Sequence, residues 1–233
     1  MNAPSWQPSW EIREQGYAQA DPAVARWVAD TYQPEDTVLR EIRERSERAG
    51  LPAIQVGVFD GLHLEIVTRA CGVRRAVEIG TLGGYSGVCI LRGLAPDGTL
   101  DTFERSPTHA QVAEETFARA GFADRVRIHV GSALERLPDI EPDGPYDLVF
   151  VDADKESYPA YLAWAAEHLR VGGVLLGDNA FGRGGVVAPG SGGMAATASA
   201  ALRRFSEELV RGGRFRATML PTEEGLAMGV EVR

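Results

Sequence analysis

From Val73 onward, short apolar runs alternate with amphipathic stretches at the spacing of strand, helix, strand. The runs Arg75–Ile79, Leu100–Phe103, Val126–Val130, Leu148–Val151 and Val174–Leu176 are rich in Val, Leu and Ile, and each is followed by Gly, Asp or Glu. Near-continuous apolar runs of this kind suit strands buried on both faces, as in a parallel sheet covered by helices. Phe215–Leu220 and Leu226–Val232 are separated only by Pro221–Gly225, too short for a crossover helix, so they pair antiparallel. The pattern predicts an α/β, Rossmann-like fold: a mostly parallel seven-stranded sheet, closed by a C-terminal antiparallel hairpin, with helices on both faces.

Residues 1–72 follow a different pattern. Asp21-Pro22 reads as a helix start and Pro34 as a break. Glu35–Ala49 reads as a charged helix with Val38, Leu39 and Ile42 on one side, stopped by Gly50. The charge run is read as a solvated helix face, with a lid or dimer contact as the other reading. Gly182–Gly193 carries six glycines and one proline in twelve residues, the composition of a mobile loop. No internal repeat or long linker divides the chain, so residues 1–233 are expected to form one domain, a helical appendage (1–72) on an α/β core (73–233).

Composition narrows the function. With 44% hydrophobic residues in 233, the chain can bury a core without staples, and 24 basic against 33 acidic residues leave a net charge of -9. That charge opposes binding to nucleic acid or anionic membranes. Cys71 and Cys89 belong to no metal or redox motif and read as reduced core residues, pointing to the cytoplasm. Met1–Trp10 has neither a basic nor an apolar targeting region, and no stretch approaches the ~18 apolar residues of a membrane span.

Val77-Glu78-Ile79-Gly80-Thr81-Leu82-Gly83-Gly84-Tyr85-Ser86-Gly87 places a glycine turn after the first strand, at the ligand edge of a parallel sheet. It lacks the G-x-G-x-x-G order that brings a pyrophosphate onto the backbone. Glu78 instead puts a carboxylate where a cationic group would be welcome, and Glu104, at the next strand end, has the place of an acid that bonds a ribose diol. Adenosine with a cationic tail, as in S-adenosylmethionine (SAM), fits both acids; the plain structural reading is that the glycines permit close packing and Glu78 caps a turn. Ser86 is not in a G-x-S-x-G elbow and reads poorly as a nucleophile.

Val151-Asp152-Ala153-Asp154-Lys155 ends the fourth strand and Gly177-Asp178-Asn179 the fifth. Adjacent strands lie ~4.8 Å apart, so Asp152 and Asp178 project together from one edge. A hard divalent cation gives two such carboxylates a reason to meet, and the Asn179 amide oxygen completes an all-oxygen set suited to Mg2+, or to Ca2+ or Mn2+. His63, His109, His129 and His168 are scattered and show no zinc spacing. A polar loop start is the plain alternative for each acid.

Val77–Gly87, Phe150–Lys155 followed by Tyr158 and Tyr161, and Gly172-Gly173-Val174 leading to Asp178-Asn179 resemble the cation-dependent O-methyltransferases of the caffeoyl-CoA and catechol type, over residues 30–233. The resemblance implies the class I methyltransferase fold and a homodimer. It makes Asp152, Asp178 and Asn179 the metal ligands. It sets Val56, Glu78, Gly80, Thr81, Ser86, Glu104, Ala133, Asp152, Asp154 and Tyr161 around SAM, and gives Lys155 the role of general base beside Asp152. The implied reaction is methylation of one hydroxyl of a vicinal aromatic diol, leaving S-adenosylhomocysteine (SAH). The chain departs from the pattern at Ala180-Phe181, at Pro221–Gly225 and in lacking the N-terminal lysine associated with CoA esters, so the acceptor stays open among catechol, hydroxycinnamate, flavonoid and antibiotic-precursor types. A nicotinamide oxidoreductase or a non-catalytic SAM-binding protein are the other readings of the residues.

Overall fold

The computed structural model describes residues 21–190, 193–222 and 224–233. Met1–Trp10, read above for targeting, and Ser191-Gly192 of the glycine-rich stretch lie outside them. Three helices come first: α1 (Pro22–Tyr32), α2 (Thr37–Arg48) and α3 (Val58–Ala70). Then follow β1 (Arg75–Ile79), α4 (Tyr85–Gly93), β2 (Thr99–Glu104), α5 (Pro107–Arg119), β3 (Val126–Val130), the single turn α6 (Ala133–Arg136), β4 (Tyr146–Val151), α7 (Tyr158–His168), β5 (Leu169–Gly177), α8 (Ala196–Arg211), β6 (Phe215–Leu220) and β7 (Leu226–Glu231).

The seven strands form one sheet in the order β3-β2-β1-β4-β5-β7-β6. β1 to β5 run parallel; β7 inserts antiparallel between β5 and β6, so the hairpin expected from the short Pro221–Gly225 turn is present. Alternate strand residues feed two cores. Ala76, Leu100, Leu148, Phe150, Val174 and Leu176 face α2 to α5, while Val77, Ile79, Phe103, Val149, Val151 and Leu175 face α7 and α8. The chain runs outward from β1 to β3 and then returns to β4 on the other side of β1. This reversal opens a cleft at the carboxyl ends of β1 and β4, where ligands of such sheets bind.

Asp21 caps α1 through the Ala23 N–H, and Pro34 follows its end, both as expected. α2 differs. Asp36 is its N-cap, leaving Glu35 outside the helix, and Val38 is exposed while Leu39, Ile42 and Ser46 are buried. Glu35 is not part of a solvated face: it is buried and held by the Arg43 guanidinium at 3.1 and 2.9 Å. The glycine-rich stretch also departs from a free loop. Residues 182–186 pack onto α8, and a Cβ on Gly185 would lie 2.3 Å from the Ser199 hydroxyl, so a glycine there serves close contact. Both cysteines are free, and no helix among the described residues is long and apolar enough to cross a membrane.

Candidate active site

Backbone hydrogen bonds step across the carboxyl edge of the sheet. Gly131 N–H donates to Glu104, Gly80 to Phe103, Asp152 to Ile79 and Asp178 to Val151, at 2.8–3.0 Å. Each residue just past a strand is thereby fixed to its neighbour, and Glu104, Gly80, Asp152 and Asp178 come to one edge. They line a cavity of about 820 Å³.

On the β1–β2 side, the turn 80–84 leaves the sheet with Gly80 at φ 107° and Gly84 at φ 88°, conformations that favour glycine. Both Glu104 oxygens accept backbone N–H groups, from Leu82 and Ser106, each at 2.8 Å. The acid thus ties the glycine turn to the start of α5 while lining the cavity. Gly80, Thr81, Ser86 and Val56 line it too, as does Ala133 at the start of α6. Tyr161 donates to Asp154 at 2.8 Å, and both are wall residues.

Glu78 of β1 lies deeper. It is fully buried beneath the cavity floor, not among the lining residues, and accepts from the Ser86 and Thr102 hydroxyls at 2.6 Å each. Burial pushes its carboxyl up to about 7 despite those two donors, with Asp152 and Glu104 adding to the rise. Ser86 links it to the cavity, and so does Thr102 through Thr81. A carboxylate so placed orders the turn.

On the β4–β5 side, Asp152, Lys155, Asp178 and Asn179 share the cavity wall. The Lys155 ammonium donates to Asp152 Oδ1 and to the Tyr158 hydroxyl, both at 2.8 Å. Burial disfavours the ammonium, but Tyr158, Asp152 and Asp178 together outweigh it and hold Lys155 above its ordinary range. Tyr158, buried at the start of α7, lies 3.1 Å from the carbonyls of both Val151 and Asp178 and so anchors the lysine to both strand ends. Asp178 is 3% exposed, and its Oδ1 is buried without a hydrogen bond. Burial raises its pKa well above the carboxylate range, and Asp152 and Asp60 raise it further. Asn179 follows at φ 55°, a left-handed conformation that asparagine tolerates better than most residues.

This arrangement fits a hard cation. Two carboxylates and an amide oxygen are hard donors, and an orphaned buried carboxylate oxygen is the condition a cation would relieve. Among the described residues, no group of three or more His, Cys, Asp or Glu side chains converges on a metal position, so the amide is needed to complete the set.

Three features escaped the sequence reading. Asp60 of α3, 6% exposed, is pushed up to about 6 by burial, against the nearby Thr222 hydroxyl, with Asp152 and Glu224 adding to the rise. Its one local signal is an acid among Phe59, Gly61 and Leu64 on the buried side of a helix. Glu35 and Arg43 wall the N-terminal side of the cavity, and Arg183 pairs with Glu224 at 3.4 Å near the β5 end. Neither pair has a spacing that announces it.

A model of the O-methyltransferase family matches residues 29–232. The chain belongs to the O-methyltransferase family. It is 40% identical over 186 residues to a catechol O-methyltransferase of Mycobacterium tuberculosis, covering 80% of this chain and 84% of that protein. A catechol O-methyltransferase of Niastella koreensis is 36% identical over 167 residues, covering 71% and 76%. The crystal structure of an O-methyltransferase from Bacillus cereus in complex with SAH superposes with a TM-score of 0.81 at 36% identity, covering 90% of this chain and 97% of that one. The protein is a SAM-dependent O-methyltransferase with the class I methyltransferase fold. The G-x-G-x-x-G order missing from its glycine turn belongs to another chemistry.

Proposed function

We propose that this O-methyltransferase depends on a divalent cation and methylates one hydroxyl of a catechol-like small molecule, an aromatic ring with vicinal hydroxyls. The observation that carries the reading is the facing pair Asp152 and Asp178, the latter with a buried, partnerless oxygen, next to Lys155 in the cavity. The catechol O-methyltransferases to which the chain is similar support the acceptor class.

Asp152, Asp178 and Asn179 would hold the cation, Mg2+ or another hard ion such as Ca2+ or Mn2+. When bound, it supplies positive charge that lowers a phenol from its ordinary pKa of ~10 toward neutrality. Lys155 moves the proton of the reacting hydroxyl at Nζ. Asp152 and Tyr158 hold that nitrogen in place. Glu104, the 80–84 turn, Ala133 and the Asp154–Tyr161 pair hold SAM, with Val56 alongside. Alignment of hydroxyl and methyl by these walls contributes several kcal/mol of barrier lowering, up to ~11 kcal/mol for ideally oriented groups.

The same reading takes the chain as one domain, working in the cytoplasm as a homodimer. The exposed Trp27 and Tyr32 of α1 offer apolar surface for a second copy, and the acidic charge favours a small-molecule partner over nucleic acid or membrane.

The test is methyl transfer to catechol after thorough metal removal. Activity should vanish in EDTA, return with Mg2+ and fall by about 10² or more in Asp152→Asn, while SAH binding persists. Full turnover in EDTA would end the cation reading, and SAH binding with no transfer to any vicinal diol would end the acceptor reading.

A further inference from the structure

α3 turns Asp60 into the same cavity that Asp152 and Asp178 line, and buries it to 6% exposure. Its Oδ1, like that of Asp178, is buried and makes no hydrogen bond. The three carboxylates act on one another: Asp152 on Asp60, and both on Asp178. The other charged groups facing them are Lys155, bonded to Asp152, and Glu224, paired with Arg183.

Charge balance gives this cluster a meaning. Ionised to hold a cation, Asp152 and Asp178 with the Lys155 ammonium carry one net negative charge, which a divalent cation would overshoot. Adding Asp60 makes two, which one divalent cation neutralises. Uncompensated charge is costly in a buried site, so a carboxylate kept there with one oxygen unbonded needs a counter-charge nearby. Because no three acidic side chains converge on one position among the described residues, Asp60 stands behind the donor set rather than in it.

We propose that Asp60 is a positioning residue of the cation site, an uncoordinated carboxylate whose charge sets how tightly Asp152, Asp178 and Asn179 retain a divalent cation. The inference rests on the cation reading above and deepens it. It makes α3, from the N-terminal helical segment, part of the cation site, so that α3 and the sheet edge are held together more firmly when the cation is present.

The experiment compares the full-length wild type, Asp60→Asn and Asp60→Glu by calorimetric titration with Mg2+ in the presence of SAH, and by thermal melting with EDTA or with Mg2+. Asp60→Asn should raise the Mg2+ Kd by about tenfold or more, leave the SAH Kd within about twofold of wild type, and shrink the Mg2+-induced gain in Tm. In EDTA it should melt at the wild-type temperature or above, because one of three crowded, buried acids is gone. Asp60→Glu, which keeps the charge, should bind Mg2+ nearly as the wild type does. Asp60→Asn with wild-type Mg2+ affinity, or with a lowered Tm in EDTA and an unchanged Mg2+ response, would overturn the proposal and leave Asp60 a structural residue. A wild type that takes up no Mg2+ would overturn the cation reading itself, an outcome read before any variant is made.

Discussion

Gly80 and Asp152 pass so close that a Cβ on Gly80 would lie 2.0 Å from the Asp152 carbonyl oxygen. The glycine turn of β1 and the acid at the end of β4 are thus one unit at the cleft. Gly80→Ala must displace backbone on β1 or β4 and also adopt φ 107°. It should cost about 3 kcal/mol or more of stability and abolish measurable SAH binding, read by urea denaturation and calorimetry. Near-wild-type stability would mean that the two strand ends separate freely.

Glu104 joins Leu82 to Ser106 through its two oxygens. Glu104→Ala frees two backbone N–H groups at the cavity edge and removes the acid proposed to bond the ribose. SAH affinity should fall by about tenfold or more, with Glu104→Gln intermediate because it keeps one acceptor. Calorimetry showing unchanged affinity in the alanine variant would remove Glu104 from the cofactor site.

Lys155 is held by Asp152 and Tyr158. Lys155→Met should lower kcat by about 10² to 10⁴ while SAH affinity stays near wild type. Lys155→Arg should fail to rescue it, since guanidinium keeps its proton at any working pH. An undiminished kcat in the methionine variant would return Lys155 to a purely structural role.

Glu78 ties stability to pH. Its folded-state pKa of about 7 lies above the ordinary 4.5, so between these values the folded protein holds a proton that the unfolded chain releases. The folded state binds more protons, and stability therefore falls as pH rises through this window, by about 3 kcal/mol in all. Below ~4.5 the penalty is absent, and above ~7 it is complete. Glu78→Gln should flatten this part of the profile, measured by urea denaturation at about pH 5 and about pH 7.5. An equally steep fall in the variant would place the titration on another group.

The strand pattern carried the reading of the sheet a long way, because a parallel strand buried on both faces has a local signature and the residue just past it must lie at the carboxyl edge. Asp152, Asp178, Asn179 and Glu104 were therefore legible as edge residues from sequence. Glu78, one residue before the end of its strand, has its side chain on one face of the sheet, and whether that face is open cavity or packed helix is not written in β1. The packing of α4 decides it, by setting the Ser86 hydroxyl over the carboxylate.

The sequence by itself determined the α/β architecture, the hairpin and the acids at the strand ends, since each follows from periodicity or spacing within a few residues. Tertiary structure alone decided that Glu35 and Arg43 wall the cavity, that Tyr158 anchors Lys155 to two strands, and that Asp60 joins Asp152 and Asp178. Those relations depend on which helix packs over which strand end. Charge and burial act through space across long stretches of chain, where no local pattern records which partners will meet.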